Sequence, residues 1–574
     1  MTDTSVLIAG AGPSGLALAI ALRQNGMSVR IIDKGETHKI GQKGCGILPR
    51  ILELYKFMGV LPDIQRKGGP LFPFIHFLPN GETKTLHMVS KGEFAPDKPY
   101  NDPMMLGQDR HEEVLREHLA KYECEVELGT ELVSFEQSAD RVVSRVLKTR
   151  DGQTVEETIE SRWLIGSEGA RSVVRKTLGL TFLGETRESE NIVVGDIKII
   201  KPQLDEVSSQ STRAFHPFTQ INGKFWHHYG DMTTKSVTIR QSEDPTANKY
   251  QFFVTGHQLD ATAVASGRDE FIKEFYAISG RTDIEFGELV WISNFRGVFS
   301  RREYVQITYV SYRPNIRMVD KYGSGRAFVA GGAAHVHSPS GGQGLNSGIQ
   351  DSINLAWKLT LVDRGLAAPT LLDTYSQERI PVIAAMLDKT TDLHNKTFSG
   401  GAASSEGWRR GPELYQFGVN YRGSPIIVDE EGTPESVDPY RSGEGGPLRA
   451  GDRASDAPGL VSLQGEKTCL FDIFRTSYHT VLIFVGADLE AKAILDLLKA
   501  YPAGAAKSVV ILHQNAAPAV DGFPADFVLT DGDGYARKHY NDRDGIVVVR
   551  PDEMIGALVG GVDGLKRYFK GIFL

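Results

Sequence analysis

The chain opens with apolar runs too short for helices, separated by stretches of helical period. The run from Ser5 to Ala9 (SVLIA) suits a strand buried on both faces. Leu16, Ala17, Ile20 and Ala21 then recur on one helical face until Asn25-Gly26, and SVRIID forms the next strand, ending on Asp33. Between 185 and 313 the pattern changes to strand-like alternation: NIVVGDIKII, KFWHHYGD, KYQFFVTGH and REYVQITYVSY, with GRDEFIKEFYAISG as an inserted helix. A mostly antiparallel sheet is expected there. FVAGGAAHVHSPSGGQGLNSGIQD, from Phe328 to Asp351, reads as a buried strand, a glycine-rich loop and a helix. Ile349, Ile353, Trp357 and Thr360 share one face of that helix, with Asp351 and Asn354 off it. From 400 to 458 glycine, serine, proline and charge dominate, as in a linker or wrapping arm. Beyond 459, TVLIFVG, LEAKAILDLLKAY, KSVVILHQ and GIVVVRPDEMIGALV alternate strand and helix in a small α/β unit. The expected organisation is an α/β unit in two parts (1–184 and 314–399), a sheet domain (185–313), an arm (400–458) and a C-terminal domain (459–574).

Composition narrows the class. The 574 residues exceed a single core, and 41% hydrophobic with 24% charged residues is ordinary for a soluble globular protein. A net charge of −8 argues against nucleic acid or an anionic membrane as partner. Cys45, Cys124 and Cys469 stand far apart in no metal-ligand spacing, so neither a disulfide framework nor a zinc site is expected and a reducing compartment fits. The apolar stretch at 6–22 follows MTDTS, which has no basic residue, and is broken by Gly-Pro-Ser-Gly, unlike a secretory signal or a membrane span. A soluble, cytoplasmic protein is expected.

The first chemical signal is GAGPSG. Gly10 permits a tight turn, Gly12 lets the backbone approach a pyrophosphate, and Gly15 brings helix and strand close, with Pro13 and Ser14 between them. The helix start offers free N–H groups to phosphate, and Asp33, 18 residues past Gly15, suits ribose hydroxyls. Set in strand, turn, helix, strand and acid, the motif predicts dinucleotide binding; alone it does not separate NAD from FAD.

Three further segments do. GQKGCGILPRILELYKFMGV (41–60), MMLGQDRHEEVLREHL (104–119) and WLIGSEGARSVVRKTLGL (163–180), taken with GAGPSG and the 328–351 stretch, resemble the single-component FAD-dependent aromatic hydroxylases of the phenol hydroxylase and p-hydroxybenzoate hydroxylase group. The resemblance implies an α/β, Rossmann-like FAD-binding domain, an antiparallel-sheet substrate domain and a thioredoxin-like C-terminal domain used for packing or homodimer contacts. Cys469 stands alone there, so no dithiol redox chemistry is expected. By resemblance, Gly10, Gly12, Gly15 and Asp33 hold the ADP half of FAD, Lys43 lies near the pyrophosphate, and Gln108 contacts the ribityl region. Glu168 and Gly332 stand where the family has aspartates, and Pro339, Gly342, Gly344, Leu345 and Asn346 pass beside the isoalloxazine ring. Lys43 keeps the charge of the family's arginine without its planar fork.

The implied activity is hydroxylation of a small aromatic, phenolic molecule with NAD(P)H and dioxygen. For substrate contact His227 or His228 is the candidate, only one of which can face a pocket because neighbours on a strand point apart. His337 is a further candidate and His335 a structural group. No acid–base residue announces itself. Two alternatives remain at this point: a flavin fold turned to a non-oxidative isomerisation or cyclisation, and a cofactor-free binding protein. A charge-assisted hydrogen bond is worth about 1.5–3 kcal/mol, so restoring the acid with Gly332→Asp is expected to tighten FAD retention by about ten- to a hundredfold, measured by flavin titration.

Overall fold

The computed structural model describes residues 3–78, 80–89, 95–186, 192–201, 224–294, 315–337, 341–399, 411–432, 438–440, 447–485, 491–514, 524–540 and 544–574. All six residues of the Thr4–Ala9 strand are buried. It lies between two parallel neighbours, Val29–Ile32 and the end of Gln153–Gly166, and the latter pairs in parallel with Ala327–Val329. Parallel strands place their carboxyl ends along one edge, where open α/β sheets bind ligands. Gly10, Asp33, Ser167-Glu168 and Ala330-Gly331-Gly332 each follow such an end, so motifs far apart in sequence arrive side by side. The Pro13–Gln24 helix packs against both Gln108–Ala120 and Gln343–Asp363.

The second sheet runs Glu285–Asn294, Ile192–Lys201, Lys249–Thr255, Lys235–Gln241, Trp226–Asp231, Phe74–Phe77, Thr83–Leu86. It is antiparallel as expected, except that Trp226–Asp231 pairs in parallel with Phe74–Phe77, a strand from the first segment of the chain. The helix expected within 267–280 is present as Arg268–Ser279. Its Phe271 stacks on Phe252 with ring centroids 3.8 Å apart, and Phe275 packs edge-on to Tyr229. One face of the sheet is thereby closed. REYVQITYVSY, which the alternation marks as a strand, lies outside the described residues.

In the C-terminal unit His479–Phe484 pairs in parallel with Ala506–Leu512 and antiparallel with Gly545–Val549, which pairs antiparallel with Ile555–Val559. Described residues of the 400–458 arm are packed rather than loose: Leu414, Val419, Tyr421 and Tyr440 are buried. Among the described residues no helix is long and apolar enough to cross a membrane, and no group of side chains could hold a metal ion. The three cysteines are free, and burial together with Asp456 and Asp472 pushes the Cys469 thiol up to about 12.

The C-terminal unit is joined to the rest through buried charge. Arg550 donates from both terminal nitrogens to Glu378, each at 2.8 Å, and Lys358 donates to Glu378 at 2.6 Å. Ser424 and Asn354 also donate to Glu378, so the carboxylate is fully occupied. Burial pushes the Glu378 carboxyl up, but Arg550 and Lys358 outweigh it and hold it far below the ordinary value. A depressed carboxyl stabilises the fold above its unfolded pKa and loses that contribution as pH falls. Glu378→Ala leaves buried Lys358 without its carboxylate and Arg550 with Asp552 alone, and is expected to cost about 3–5 kcal/mol at neutral pH, measured by denaturant unfolding, with a smaller penalty at pH 3.

Candidate functional site

The glycine turn divides its labour as the sequence suggests. Gly10 has φ +100°, and a Cβ there would sit 2.5 Å from the Ser167 carbonyl oxygen; one on Gly15 would sit 2.1 Å from the Gly10 oxygen. A Cβ on Gly12 would meet nothing within 4 Å. Gly10 and Gly15 are therefore required by packing, while Gly12 opens onto space. The helix beyond starts with Pro13 at its first positions and has no side-chain cap at Gly12, which leaves its N–H groups available. Ser14 points elsewhere: its hydroxyl fills the space over Gly331 and Gly348.

Asp33 is buried and takes Ala11 N–H at 3.0 Å, Gly35 N–H at 2.9 Å and Lys39 Nζ at 3.0 Å. Burial raises its pKa, but Lys39 and the two backbone donors outweigh that, and the carboxyl lies below its ordinary value. It therefore stays charged beside the turn. Lys43 adopts φ +37° and reaches over the Trp291 ring at 5.7 Å, with its pKa lowered by burial. Gln108 begins its helix and donates to Glu112 at 2.8 Å.

Glu168, one methylene longer than an aspartate, still reaches the backbone. Its carboxylate accepts from the Val173 and Val174 N–H groups at 3.1 and 3.2 Å and from the Ser172 hydroxyl at 2.8 Å. Gly332 faces Gly169: a Cβ at 332 would lie 3.2 Å from the Gly169 Cα, so a side chain there requires a shift of a few tenths of an ångström. The loop is fixed instead by Asp351, which the sequence pattern left off the helix's apolar face. Asp351 is fully buried and accepts from Gly331 N–H (3.0 Å), His335 (2.8 Å) and Arg379 (2.7 Å). His335 is thus a structural group, as expected.

Residues 41–48 are held from two sides. Asn346 accepts from Leu48 N–H at 2.9 Å and donates to the Gly46 and Gly342 carbonyls at 2.9 and 2.6 Å. From the sheet, Asp196 accepts from the Gln42 backbone and side chain at 2.8 and 3.0 Å, Arg240 donates to Gln42 at 2.8 Å, and Gln251 donates to the Lys43 carbonyl at 3.0 Å. Burial pushes Asp196 up to about 6, against the Gln42 backbone bond and Lys249. Sequence reading missed Gln42, Asp196, Arg240 and Asp351; local pattern carries no signal for them, because their partners lie far along the chain. Gly342 has φ +65°, Gly344 packs under the His337 ring, Leu345 is half-buried, and Pro339 lies outside the described residues.

The strand separates the two histidines as expected. His227 stacks on Phe77 on the face closed by the Arg268–Ser279 helix. His228 shares the opposite face with Trp226, Thr238 and Arg240, the side turned to residues 41–48. It bonds Thr238 at 2.7 Å, and burial lowers its pKa to about 3.

The FAD binding domain family matches residues 3–295 and 304–390. The chain belongs to this flavoprotein family. It is 33% identical over 535 residues to a flavin-dependent monooxygenase of Mycobacteroides abscessus, covering 92% of this chain and 96% of that protein. It is 29% identical to pentachlorophenol 4-monooxygenase of Sphingobium chlorophenolicum, covering 97% and 94%. The flavin-dependent monooxygenase PieE, solved with FAD and substrate, shares the fold at TM-score 0.76 and 20% identity, over 100% of this chain and 98% of that one. The enzyme is an FAD-dependent monooxygenase of the aromatic hydroxylase class, for which NAD(P)H is the typical reductant. The open Gly12 cradle, the uncapped helix start and the charged Asp33 fit its cofactor.

Asn346→Ala removes three hydrogen bonds, two that hold residues 41–48 and one that holds the Gly342 carbonyl. It is expected to weaken FAD affinity by about tenfold while costing about 1–3 kcal/mol of stability, checked by flavin titration and denaturant unfolding.

Proposed function

We propose that this monooxygenase hydroxylates a small phenolic molecule bound between the aromatic face of the second sheet and residues 41–48. The observation that carries this reading is that four parallel strand ends share one edge, while residues 41–48 are bonded both to the second sheet through Asp196 and to the Gln343–Asp363 helix start through Asn346. FAD, when bound, supplies the redox chemistry, taking electrons from NAD(P)H and activating dioxygen. The chain supplies position. Gly10, Gly12, Pro13, Gly15 and Asp33 would form the ADP side, Ser14 contributing backbone alone, and Lys43 would place positive charge near the pyrophosphate. Gln108, Glu168 and Gly332 border the ribityl region. Gly342, Gly344, Leu345 and Asn346 would border the ring, and the start of the Gln343–Asp363 helix would favour negative charge there.

On the substrate side, His228 rather than His227 is the contact candidate, because it shares the face with Trp226 and Arg240. His337, over Gly344, is the second. The non-oxidative alternative rests on Lys43, Glu168 and Gly332, which depart from the family's pattern. Glu168 still bridges two backbone N–H groups, and Asp351 holds the loop beside Gly332; both support the redox reading. We read the C-terminal unit as thioredoxin-like, supported by its parallel pair followed by two antiparallel strands. The free cysteines support a reducing, cytoplasmic setting.

The test is direct. The purified protein is expected to be yellow with bound FAD, and a phenol that it accepts should accelerate NAD(P)H oxidation and leave with one added oxygen atom. A yellow protein indifferent to NAD(P)H under every phenol offered would sink the hydroxylase reading.

A further inference from the structure

One side chain on the face of the second sheet opposite the Arg268–Ser279 helix has a nitrogen with nothing to bind among the described residues. His76 is buried, and its Nε2 lies 3.2 Å from the Gly230 carbonyl oxygen. A carbonyl only accepts, so Nε2 carries the proton and Nδ1 presents a lone pair. That Nδ1 is buried and has no hydrogen-bond partner among the described residues. Leaving such an acceptor unmatched is costly, and groups of this kind call for a functional explanation.

Its surroundings say what would match it. His76 pairs across the ladder with His228, and Phe74 with Trp226, so all four share one face. Phe74 stacks on Trp226 with centroids 5.2 Å apart, Trp226 lies 5.8 Å from Phe253, and His76 meets His228 edge-on at 4.7 Å. Two residues along a strand span about 6.7 Å, roughly the length of a hydroxylated ring. An aromatic molecule against Trp226 therefore places a hydroxyl at the level of the imidazoles. Burial holds both rings below the ordinary histidine value, so they are neutral acceptors rather than cations at pH 7.

The charges on this face point the same way. Arg240 sits over the Trp226 ring at 4.9 Å, where it would attract a substrate carboxylate, but its guanidinium already donates to Glu243 at 2.7 Å, Gln42 at 2.8 Å and Gln251 at 3.1 Å. Lys249 is likewise paired, with Asp109 at 2.8 Å. Glu243 is itself almost fully buried, so it cannot swing into solvent to free the arginine.

We propose that the site selects uncharged hydroxyaromatic substrates, His76 accepting the substrate hydroxyl and Glu243 silencing Arg240 against carboxylates. The inference rests on reading this face as the substrate side of the monooxygenase. No covalent step is assigned to either residue; both determine specificity.

Three probes of one shape test it: 2-naphthol, 2-methoxynaphthalene and 2-naphthoate, titrated into FAD-loaded enzyme and followed by the flavin absorbance. The wild type is expected to bind 2-naphthol at least about tenfold more tightly than either of the others. His76→Leu should erase the preference over the methyl ether, His76→Gln should keep much of it by retaining an acceptor, and Glu243→Gln should improve 2-naphthoate binding. If the wild type binds the ether or the naphthoate as well as the naphthol, or binds none of them, the inference falls. It falls also if His76→Leu, still holding FAD, keeps the full preference; should that variant not fold, the wild-type ratios decide. Failure of the underlying reading looks different: the protein then holds no FAD, or no phenol accelerates its NAD(P)H oxidation.

Discussion

The backbone of residues 41–48 is the constraint on which the site depends. It is clamped by Asn346 on one side and by Asp196, Arg240 and Gln251 on the other, through side chains that are almost all buried. In a low-dielectric interior such bonds are strong when complete and expensive when broken. The segment therefore transmits the position of the sheet to the glycine-rich loop with little slack. Two units that fold around separate apolar cores are thereby registered to each other by polar contacts. The apolar cores set where each unit lies; the polar clamp sets the distance between them.

A second set of buried polar groups does the same for the flavin-side loops. Asp351 gathers a backbone N–H, an imidazole and a guanidinium, and Glu168 gathers two N–H groups and a hydroxyl. Each of these carboxylates holds backbone close to a glycine in a left-handed conformation. Gly331 has φ +57° and Gly169 φ +80°, conformations that favour glycine, and the anions fix what the glycines leave free. The loss of a carboxylate at 332 thus sits within a framework that holds its loop by other means.

Local pattern revealed much of this and failed in a consistent way. The strand, turn and helix of the first unit were readable because every residue of Thr4–Ala9 is buried and the glycines obey steric rules that act over a few residues. The separation of His227 from His228 follows from the two-residue period of a strand. Asp351 and Asn354 were different. Periodicity set them off an apolar stripe, yet the Gln343–Asp363 helix is buried on nearly all sides, and its polar residues find partners such as Arg379 and Asp552 that lie far along the chain. Arg240 and Asp196 were invisible for the same reason, since each alternates correctly within its strand and shows its purpose only against Gln42. The arm at 400–458 carries the composition of a linker, but Gln416 and Tyr440 donate to Gln343 at 2.6 Å and pin that stretch to the helix start.

The ionic weld at Glu378 has a consequence for how this architecture can be recombined. The acceptor belongs to the helix Asp373–Ser399 and the fork to the strand-following Arg550, on opposite sides of any natural cut point near residue 400. A chimera joined there inherits half of the weld from each parent. A grafted C-terminal unit keeps Asp552 for its arginine but loses the carboxylate that seats it, so the terminal domain is one half of a lock rather than an independent module.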